Sequence, residues 1–254
     1  MSQTRSLAAV IGVVATILLA WLVNPWVSVP DNLSSVVTWA FWILAIALVA
    51  VLYIDARRDP RSGTVEVEGP GFARFLFSNS RAGLVWLPIR IFLGFNWLDA
   101  GFHKLAGPGW VDGGSALKGY WTAAIAVSDT GKGPITYDWY REFLSFLLNG
   151  GHYTWFAPLI TFGEILVGIG LIVGALTGFA AFFGAFMNMS YLLAGSASTN
   201  PVMFALAVGV IMAWKVAGYY GVDRWLLPKL GTPWAPGSEP AGSGSSVPPS
   251  NGRT

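Results

Sequence analysis

Four polar residues lie inside long apolar stretches of the sequence, where each needs either a partner or a function. They are Arg90, Glu164, Asn188 and Lys215. A charged side chain at the centre of a bilayer costs about 2.5–3.5 kcal/mol on insertion scales. At about 1.5 Å per residue, all four lie about 9–16 Å from the same end of a helix bundle. The pattern predicts a polar layer that could bind a quinone headgroup or relay protons.

Each of these residues also has a purely structural interpretation. Arg90 and Glu164 could neutralise each other and fix the register of their helices. Lys215 could extend its ammonium group towards the cytoplasm, and Asn188 could bond a neighbouring helix. The sequence leaves the functional and the structural interpretations open.

The third apolar stretch has two polar faces when it is read as a helix. At about 100° per residue, five residues fall within about a quarter turn of one another. They are Arg90, Gly94, Trp97, Gly101 and Lys104. The second face carries Asn96, Asp99 and His103. Because the glycines permit close helix approach, one of these faces should contact the bundle interior or a water-filled cavity.

Several kinds of cofactor site have no signature in this sequence. The chain has no Cys, which removes thiolate metal sites and iron–sulfur clusters. It has no complete G-x-G-x-x-G and no Walker A string, so no flavin or nucleotide site is predicted. His103 and His152 could together hold a haem or a metal, but two such residues near an interface are more typical of polar anchors. We therefore predict no flavin, haem or metal.

Composition places these residues in a membrane protein. Of 254 residues, 54% are hydrophobic and 11% are charged, whereas about a quarter are charged in ordinary soluble domains. So much apolar surface does not fit inside a soluble globule of this size. The net charge of +2 gives no strong basic excess and argues against nucleic acid as a partner.

Six apolar stretches are long enough to be membrane spans. They are 7–23, 36–54, 82–102, 155–175, 178–193 and 201–220. Arg and Lys are concentrated between the second and third stretches, at Arg57, Arg58, Arg61, Arg74 and Arg81. By the positive-inside rule, both termini are predicted in the cytoplasm and the loop 104–154 outside. The predicted fold is an all-α integral plasma-membrane protein with six transmembrane helices.

The chain divides into four parts on this prediction. They are a two-helix extension (1–54), a basic cytoplasmic linker (55–82), a four-helix core (83–228) and a disordered cytoplasmic tail (229–254). The tail is rich in Gly, Ser and Pro and cannot form a core. Within the aromatic-rich outer loop, apolar residues recur at helical spacing over 138–148, which predicts a short interfacial helix.

Four motifs in order resemble the DoxX/DoxD family of membrane proteins. They are RIFLGFNWLDAGFHKL (90–105), FGEILVGIGLIVG (162–174), FGAFMN (183–188) and AWK (213–215) with Gly218. The resemblance covers residues 83–228 and implies a four-helix membrane core. It is closer to the DoxD branch, the large subunit of thiosulfate:quinone oxidoreductase, which couples two thiosulfates into tetrathionate and reduces a membrane quinone. The two N-terminal helices depart from the family pattern, and no partner subunit is fused.

The resemblance implies two sites, with quinone as a diffusible electron acceptor. Arg90 and Glu164 would be the catalytic residues at the quinone end. Trp97, Asn188 and Lys215 would line the cofactor site there. Thiosulfate is a dianion, so the cationic side chains of His103, Lys104 and Arg141 are predicted to bind this small anionic substrate at the outer mouth. Two other functions stay open: a non-catalytic membrane partner of a second, redox-active subunit, and a carrier of small solutes or protons.

Overall fold

The computed structural model describes residues 3–23, 31–58, 69–129 and 131–232. These residues form eleven α-helices, a short 3-10 turn at Ser80–Ala82 and no strand. The helices are α1 Gln3–Val23, α2 Asp31–Arg58, α3 Gly71–Ser78, α4 Gly83–Ala106, α5 Ser115–Ile125, α6 Asp138–Asn149, α7 Tyr153–Val173, α8 Thr177–Leu193, α9 Asn200–Met212, α10 Trp214–Ala217 and α11 Asp223–Lys229. The predicted all-α class is confirmed for this part of the chain.

Helices α4 and α7 form the centre of the bundle and run antiparallel along faces lined by glycine. A Cβ atom at Gly94 would lie 2.9 Å from the Gly168 carbonyl oxygen, and one at Gly101 would lie 3.0 Å from the Ile165 amide nitrogen. These contacts leave no room for a side chain, so the two backbones approach closely. Gly94, Trp97 and Gly101 are all buried, as expected for the face of this helix that also carries Arg90 and Lys104. The glycine contacts fix the register between the two helices.

Helices α8, α9 and α10 complete the main core against α4 and α7. Its larger buried members are Trp86, Leu93, Trp97, Leu171, Met203 and Val210. Gly184 on α8 accommodates an aromatic ring, because a Cβ atom there would lie 2.8 Å from Trp97 Nε1. Trp97 and Met203 of this core also line the polar pocket that is described below.

The segment 104–154, which is predicted to lie outside the cell, contains two helices, α5 and α6. The helix predicted over 138–148 is confirmed by α6, Asp138–Asn149. Helix α5 was not predicted, and it packs on α6 through an apolar cluster that includes Trp121, Tyr140 and Leu144. The two helices cover the end of the bundle at which α7 begins, and we call this end the covered end.

The prediction of one continuous helix over 201–220 is wrong. Helix α9 ends at Met212, and α10 spans only Trp214–Ala217. The chain then turns so that the Asp223 amide nitrogen donates to the Gly174 carbonyl oxygen at 2.8 Å. A straight helix could not return the chain to the end of α7, so this tertiary contact prevails over the local apolar pattern.

Helix length does not by itself support six membrane spans. Among the described residues, Tyr153–Val173 is the one helix that is both long and apolar enough to cross a membrane. Thr177–Leu193 and Asn200–Met212 are apolar but shorter. Helix α4 is long, but it carries Arg90 and Asp99 within its apolar sequence.

The predicted division of the chain stays a prediction, although helices extend into the linker. Helix α2 continues to Arg58, and α3 occupies Gly71–Ser78. Helices α1 and α2 pack on each other, with Gly12 against Leu48. Residues 59–68 and 233–254 lie outside the described residues, and most of the predicted disordered tail falls there.

Candidate functional site

A polar pocket of about 410 Å³ lies between α4, α7, α8 and α9 at the covered end of the bundle. Its lining residues are Asn96, Trp97, Asp99, Ala100, Lys104, Trp110, Tyr120, Glu164, Tyr191, Ser196, Ser198, Thr199, Asn200 and Met203. Ser198 and Thr199 in the α8–α9 loop are exposed, so the pocket reaches the surface there. Ser198 has a positive φ of 40°, which is unusual for a residue other than glycine and is typical of backbone at functional sites.

The base of the pocket is an ion pair with a tyrosine bonded to it. Lys104 Nζ lies 2.9 Å from Glu164 Oε1 and 2.7 Å from Oε2. The Tyr191 hydroxyl donates to Glu164 Oε1 at 2.7 Å. The Glu164 side chain is 0% exposed, and the Lys104 side chain is 18% exposed. A buried carboxylate needs such compensation, because desolvation of an unpaired charge costs several kcal/mol.

Aromatic rings form the walls around this ion pair. Lys104 Nζ lies 5.1 Å from the centre of the Trp110 ring and 6.0 Å from that of Tyr191. The Tyr120 and Tyr191 rings meet edge to face at 6.3 Å. Trp97 closes the inner side and is almost fully buried. The pocket therefore offers flat apolar surfaces next to hydrogen-bonding groups.

Two tyrosines near the covered end stay protonated at neutral pH. Burial raises the pKa of Tyr120, and the Ser196 hydroxyl partly offsets this effect. Burial, followed by the nearby Tyr120, raises the pKa of Tyr140 to about 12. The Tyr140 hydroxyl donates to the Ser190 carbonyl oxygen at 2.9 Å, which ties α6 to α8 outside the pocket.

Arg90 and Glu164 do not pair, so the interpretation in which they neutralise each other is wrong. Arg90 lies at the opposite end of the bundle, where its Nη2 donates to the Tyr220 carbonyl oxygen at 3.2 Å and its guanidinium packs on Gly174. The negative charge of Asp223 acts on it there. Counting residues from the helix ends places Arg90 and Glu164 at similar depths. That count is misleading here, because α4 extends past the end of α7 and Arg90 therefore lies level with Gly174. Glu164 instead faces the turn of α4 that carries Lys104.

Asp223 is a buried acid that the sequence interpretation missed. Its carboxylate is fully buried and accepts from the backbone amides of Leu176 and Thr177 at 2.6 and 2.8 Å. Carboxylates at helix N-termini satisfy amides that have no partner within the helix and interact favourably with the helix dipole. Asp223 therefore caps α8 from a distant part of the chain, close to Arg90.

The remaining predicted site residues do not converge on the pocket. His103 is exposed, and its Nδ1 lies 2.9 Å from the Asp99 carbonyl oxygen. Arg141 lies on α6, where Nη2 donates to the Ile135 carbonyl oxygen at 2.7 Å and Nη1 pairs with Asp138. The predicted anion site of His103, Lys104 and Arg141 is therefore not assembled in this arrangement.

Two predicted cofactor residues lie away from the pocket, each in a different setting. Lys215 is exposed at the opposite end of the bundle, with Nζ 5.7 Å from the centre of the Trp214 ring. Asn188 is fully buried on α8, and both polar atoms of its amide lack a partner among the described residues. The four polar residues of the apolar stretches therefore do not form one layer.

Sequence reasoning missed Tyr191, Trp110 and Tyr120, which complete the pocket. Tyr191 lies three residues after Asn188 on the same helix. A search for neutral hydrogen-bond donors at the same depth in the bundle as the Glu164 carboxylate would have found it. Trp110 and Tyr120 belong to the aromatic-rich segment 104–154, from which the sequence predicted only a short helix over 138–148. No cluster of three or more potential metal ligands occurs among the described residues.

Comparisons with known proteins found no relative of this chain. No family model matches the chain, and no curated protein and no solved structure matches it. The similarity to the DoxX/DoxD family therefore stays a prediction from the four sequence motifs.

Proposed function

We propose that the chain is a multi-pass plasma-membrane subunit of a quinone-linked oxidoreductase of the DoxX/DoxD type, with both termini in the cytoplasm. The observation that carries this proposal is the cluster of Lys104, Glu164 and Tyr191 at the base of an aromatic-walled pocket. Small-molecule sites commonly combine apolar walls with a few convergent polar groups.

The outer surface of the bundle supports a membrane location. Large apolar side chains point outwards from three of the core helices, with Phe95 on α4, Leu166 on α7 and Phe186 on α8 each more than 60% exposed. Monomeric soluble proteins rarely expose continuous apolar surface on this scale. Lipid chains are the partner that fits such a belt, and the shorter helices could span with local bilayer thinning and with flanking polar side chains that extend to the interface.

The pocket has the groups that quinone reduction needs. Reduction of a quinone to a quinol takes two electrons and two protons. Lys104 has a third N–H that Glu164 does not accept, and it could donate this hydrogen bond, and then a proton, to a quinone carbonyl oxygen. Tyr191 has a single O–H, so it would turn from Glu164 to the quinone to donate its proton, with Lys104 left to pair with Glu164. Trp110 and Trp97 offer flat surfaces for the ring. Water at the mouth of the pocket would then return protons to Lys104 and Tyr191.

Charge argues against thiosulfate in the same pocket. Its one lysine, Lys104, is neutralised by Glu164, and Asp99 adds a further negative charge to the lining. A dianion would therefore meet a net negative pocket, whereas a neutral quinone would not. We propose that thiosulfate is oxidised to tetrathionate with the help of a second oxidoreductase subunit, and that its electrons reach the quinone held by this chain.

Tyr191→Phe is expected to lower quinone reduction about 100-fold, because a positioned general acid contributes about 10²–10⁴ in rate. Rates are measured with thiosulfate, a soluble ubiquinone analogue and the complex isolated with its native partners. The matched control is Tyr140→Phe, which removes another buried, hydrogen-bonded hydroxyl outside the pocket.

Equal rates in both variants would remove the pocket from the reaction. Wild-type complex that reduces no quinone with thiosulfate would remove the reaction and favour a non-catalytic membrane partner. Quinone binding, followed through quenching of tryptophan fluorescence, distinguishes a binding site from a catalytic one.

A topology measurement tests the membrane arrangement independently. The chain has no Cys, so one introduced Cys is the only thiol. Lys132→Cys is expected to react with an impermeant thiol reagent added to intact cells, and Arg61→Cys is not, because Arg and Lys are concentrated on the cytoplasmic side. Reversed labelling would place the pocket mouth in the cytoplasm.

A further inference from the structure

The end of the bundle opposite the pocket carries a set of exposed cations, and we call it the basic end. The cations are Arg74, Arg81, Lys215, Arg224 and Lys229. Within residues 69–90 and 213–232, the one carboxylate is that of Asp223, which is fully buried as the cap of α8. The basic end therefore presents a single sign of charge over its described surface.

Contacts between distant segments bring these cations to one end. The Trp86 indole on α4 donates to the Leu76 carbonyl oxygen on α3 at 2.8 Å. A Cβ atom at Gly83 would lie 2.9 Å from the Val216 carbonyl oxygen, so the start of α4 touches α10. Helix α11 follows directly and joins the end of α7 through Asp223. The short helices α3, α10 and α11 thus lie around the same end of the bundle.

Two of these short helices also present large apolar rings to the outside. Phe72 on α3 is 74% exposed, and Trp225 on α11 is 64% exposed. Each ring has a cation one or two residues away, at Arg74 and Arg224. Short helices with apolar rings on one side and cations on another are typical of segments that lie in the membrane interface.

The covered end has a different charge pattern. It exposes the acids Asp99, Asp112, Asp129, Asp138 and Glu142 beside the cations Lys118 and Lys132. A surface of mixed sign attracts an anionic layer weakly. The described surface of the basic end is therefore positively charged throughout, whereas that of the covered end carries charges of both signs.

We infer that the basic end binds the headgroups of anionic phospholipids. Phe72 and Trp225 enter the interface, and the surrounding Lys and Arg side chains meet lipid phosphates. The inference rests on the proposed association of this chain with a membrane, but it does not depend on membrane crossing or on quinone chemistry. A juxtamembrane cation contributes about fivefold to binding at an anionic surface, so Arg81, Lys215 and Lys229 together make a strong preference for anionic over zwitterionic lipid.

The test uses full-length protein, freed of lipid in a neutral detergent and titrated with phosphatidylglycerol or phosphatidylcholine. Native mass spectrometry counts the bound lipids. Phosphatidylglycerol is expected to bind about 100-fold more tightly than phosphatidylcholine, at about fivefold for each of Arg81, Lys215 and Lys229. Lys215→Gln with Lys229→Gln should weaken it about 25-fold, at about fivefold per cation. The matched control is Lys118→Gln with Lys132→Gln, which should leave the affinity for phosphatidylglycerol unchanged. Each double variant removes one lysine that stacks on an aromatic ring and one exposed lysine that does not.

Three outcomes would overturn the inference. They are equal binding of both lipids, equal losses in the two double variants, and tighter binding of soluble polyglutamate than of phosphatidylglycerol, which would indicate an acidic protein partner. Failure of the proposed function is seen separately. If thiol labelling shows no membrane crossing while phosphatidylglycerol still binds at the basic end, the inference stands and the multi-pass subunit does not.

Discussion

Lys104→Met is expected to lower the free energy of unfolding by about 3–5 kcal/mol, because it leaves the fully buried Glu164 carboxylate without a counter-charge. In a chain of this size such a loss lowers the midpoint of thermal unfolding by about 10 °C. Glu164→Gln should cost less, since the Lys104 side chain that it leaves unpaired is 18% exposed and lines the pocket. The measurement is thermal unfolding of the purified variants in detergent.

The double variant Lys104→Met/Glu164→Gln identifies the partner of the carboxylate. It should recover at least half of the summed losses, because neither charge is then left alone. Arg90→Gln combined with Glu164→Gln should be additive within about 0.5 kcal/mol, since Arg90 lies beside Gly174, ten residues along α7 from Glu164. Additive losses in the first pair, with recovery in the second, would show that Glu164 pairs with Arg90 and that the helix register is different.

The second large effect is expected at Asp223. Asp223→Ala removes the acceptor of two amides at the start of α8 and the negative charge that acts on Arg90. A backbone amide left without an acceptor costs about 1–3 kcal/mol, and Asp223 accepts from two of them. Loss of the nearby negative charge also disfavours the buried Arg90 guanidinium. The expected loss in unfolding free energy is therefore about 3 kcal/mol or more, with the junction of α7, α8 and α11 loosened.

Asp138→Ala is the matched control for this substitution. Asp138 is also an acid in the first turn of a helix, and it is also paired with an arginine, but its side chain is 82% exposed. An exposed pair of this kind contributes about 0–1 kcal/mol, so the control should unfold close to wild type. Arg90→Gln added to Asp223→Ala should recover part of the loss. Equal stability of the two alanine variants would contradict the buried role of Asp223.

Local pattern was enough to predict the helices that carry the site. The stretch predicted over 155–175 is α7, Tyr153–Val173, and that over 178–193 is α8, Thr177–Leu193. The amphipathic segment 138–148 is α6. Runs of apolar residues and helical periodicity are properties of neighbouring residues, so they can be read without knowledge of the fold. The same holds for the glycine face of α4, whose small residues predict a close helix contact.

The partners of the buried charges depended on the tertiary structure. Glu164 meets Lys104 and Tyr191 because glycine contacts set the antiparallel register of α4 and α7 and because α8 packs beside them. Asp223 reaches the start of α8 across 46 residues only because the chain turns back after α10. A shift of one turn between two helices moves a side chain by about 5.4 Å, which is enough to exchange its partner. Residue types and helix positions could therefore be predicted from the sequence of this protein, whereas the meeting of particular side chains was decided by helix register and by long-range return of the chain.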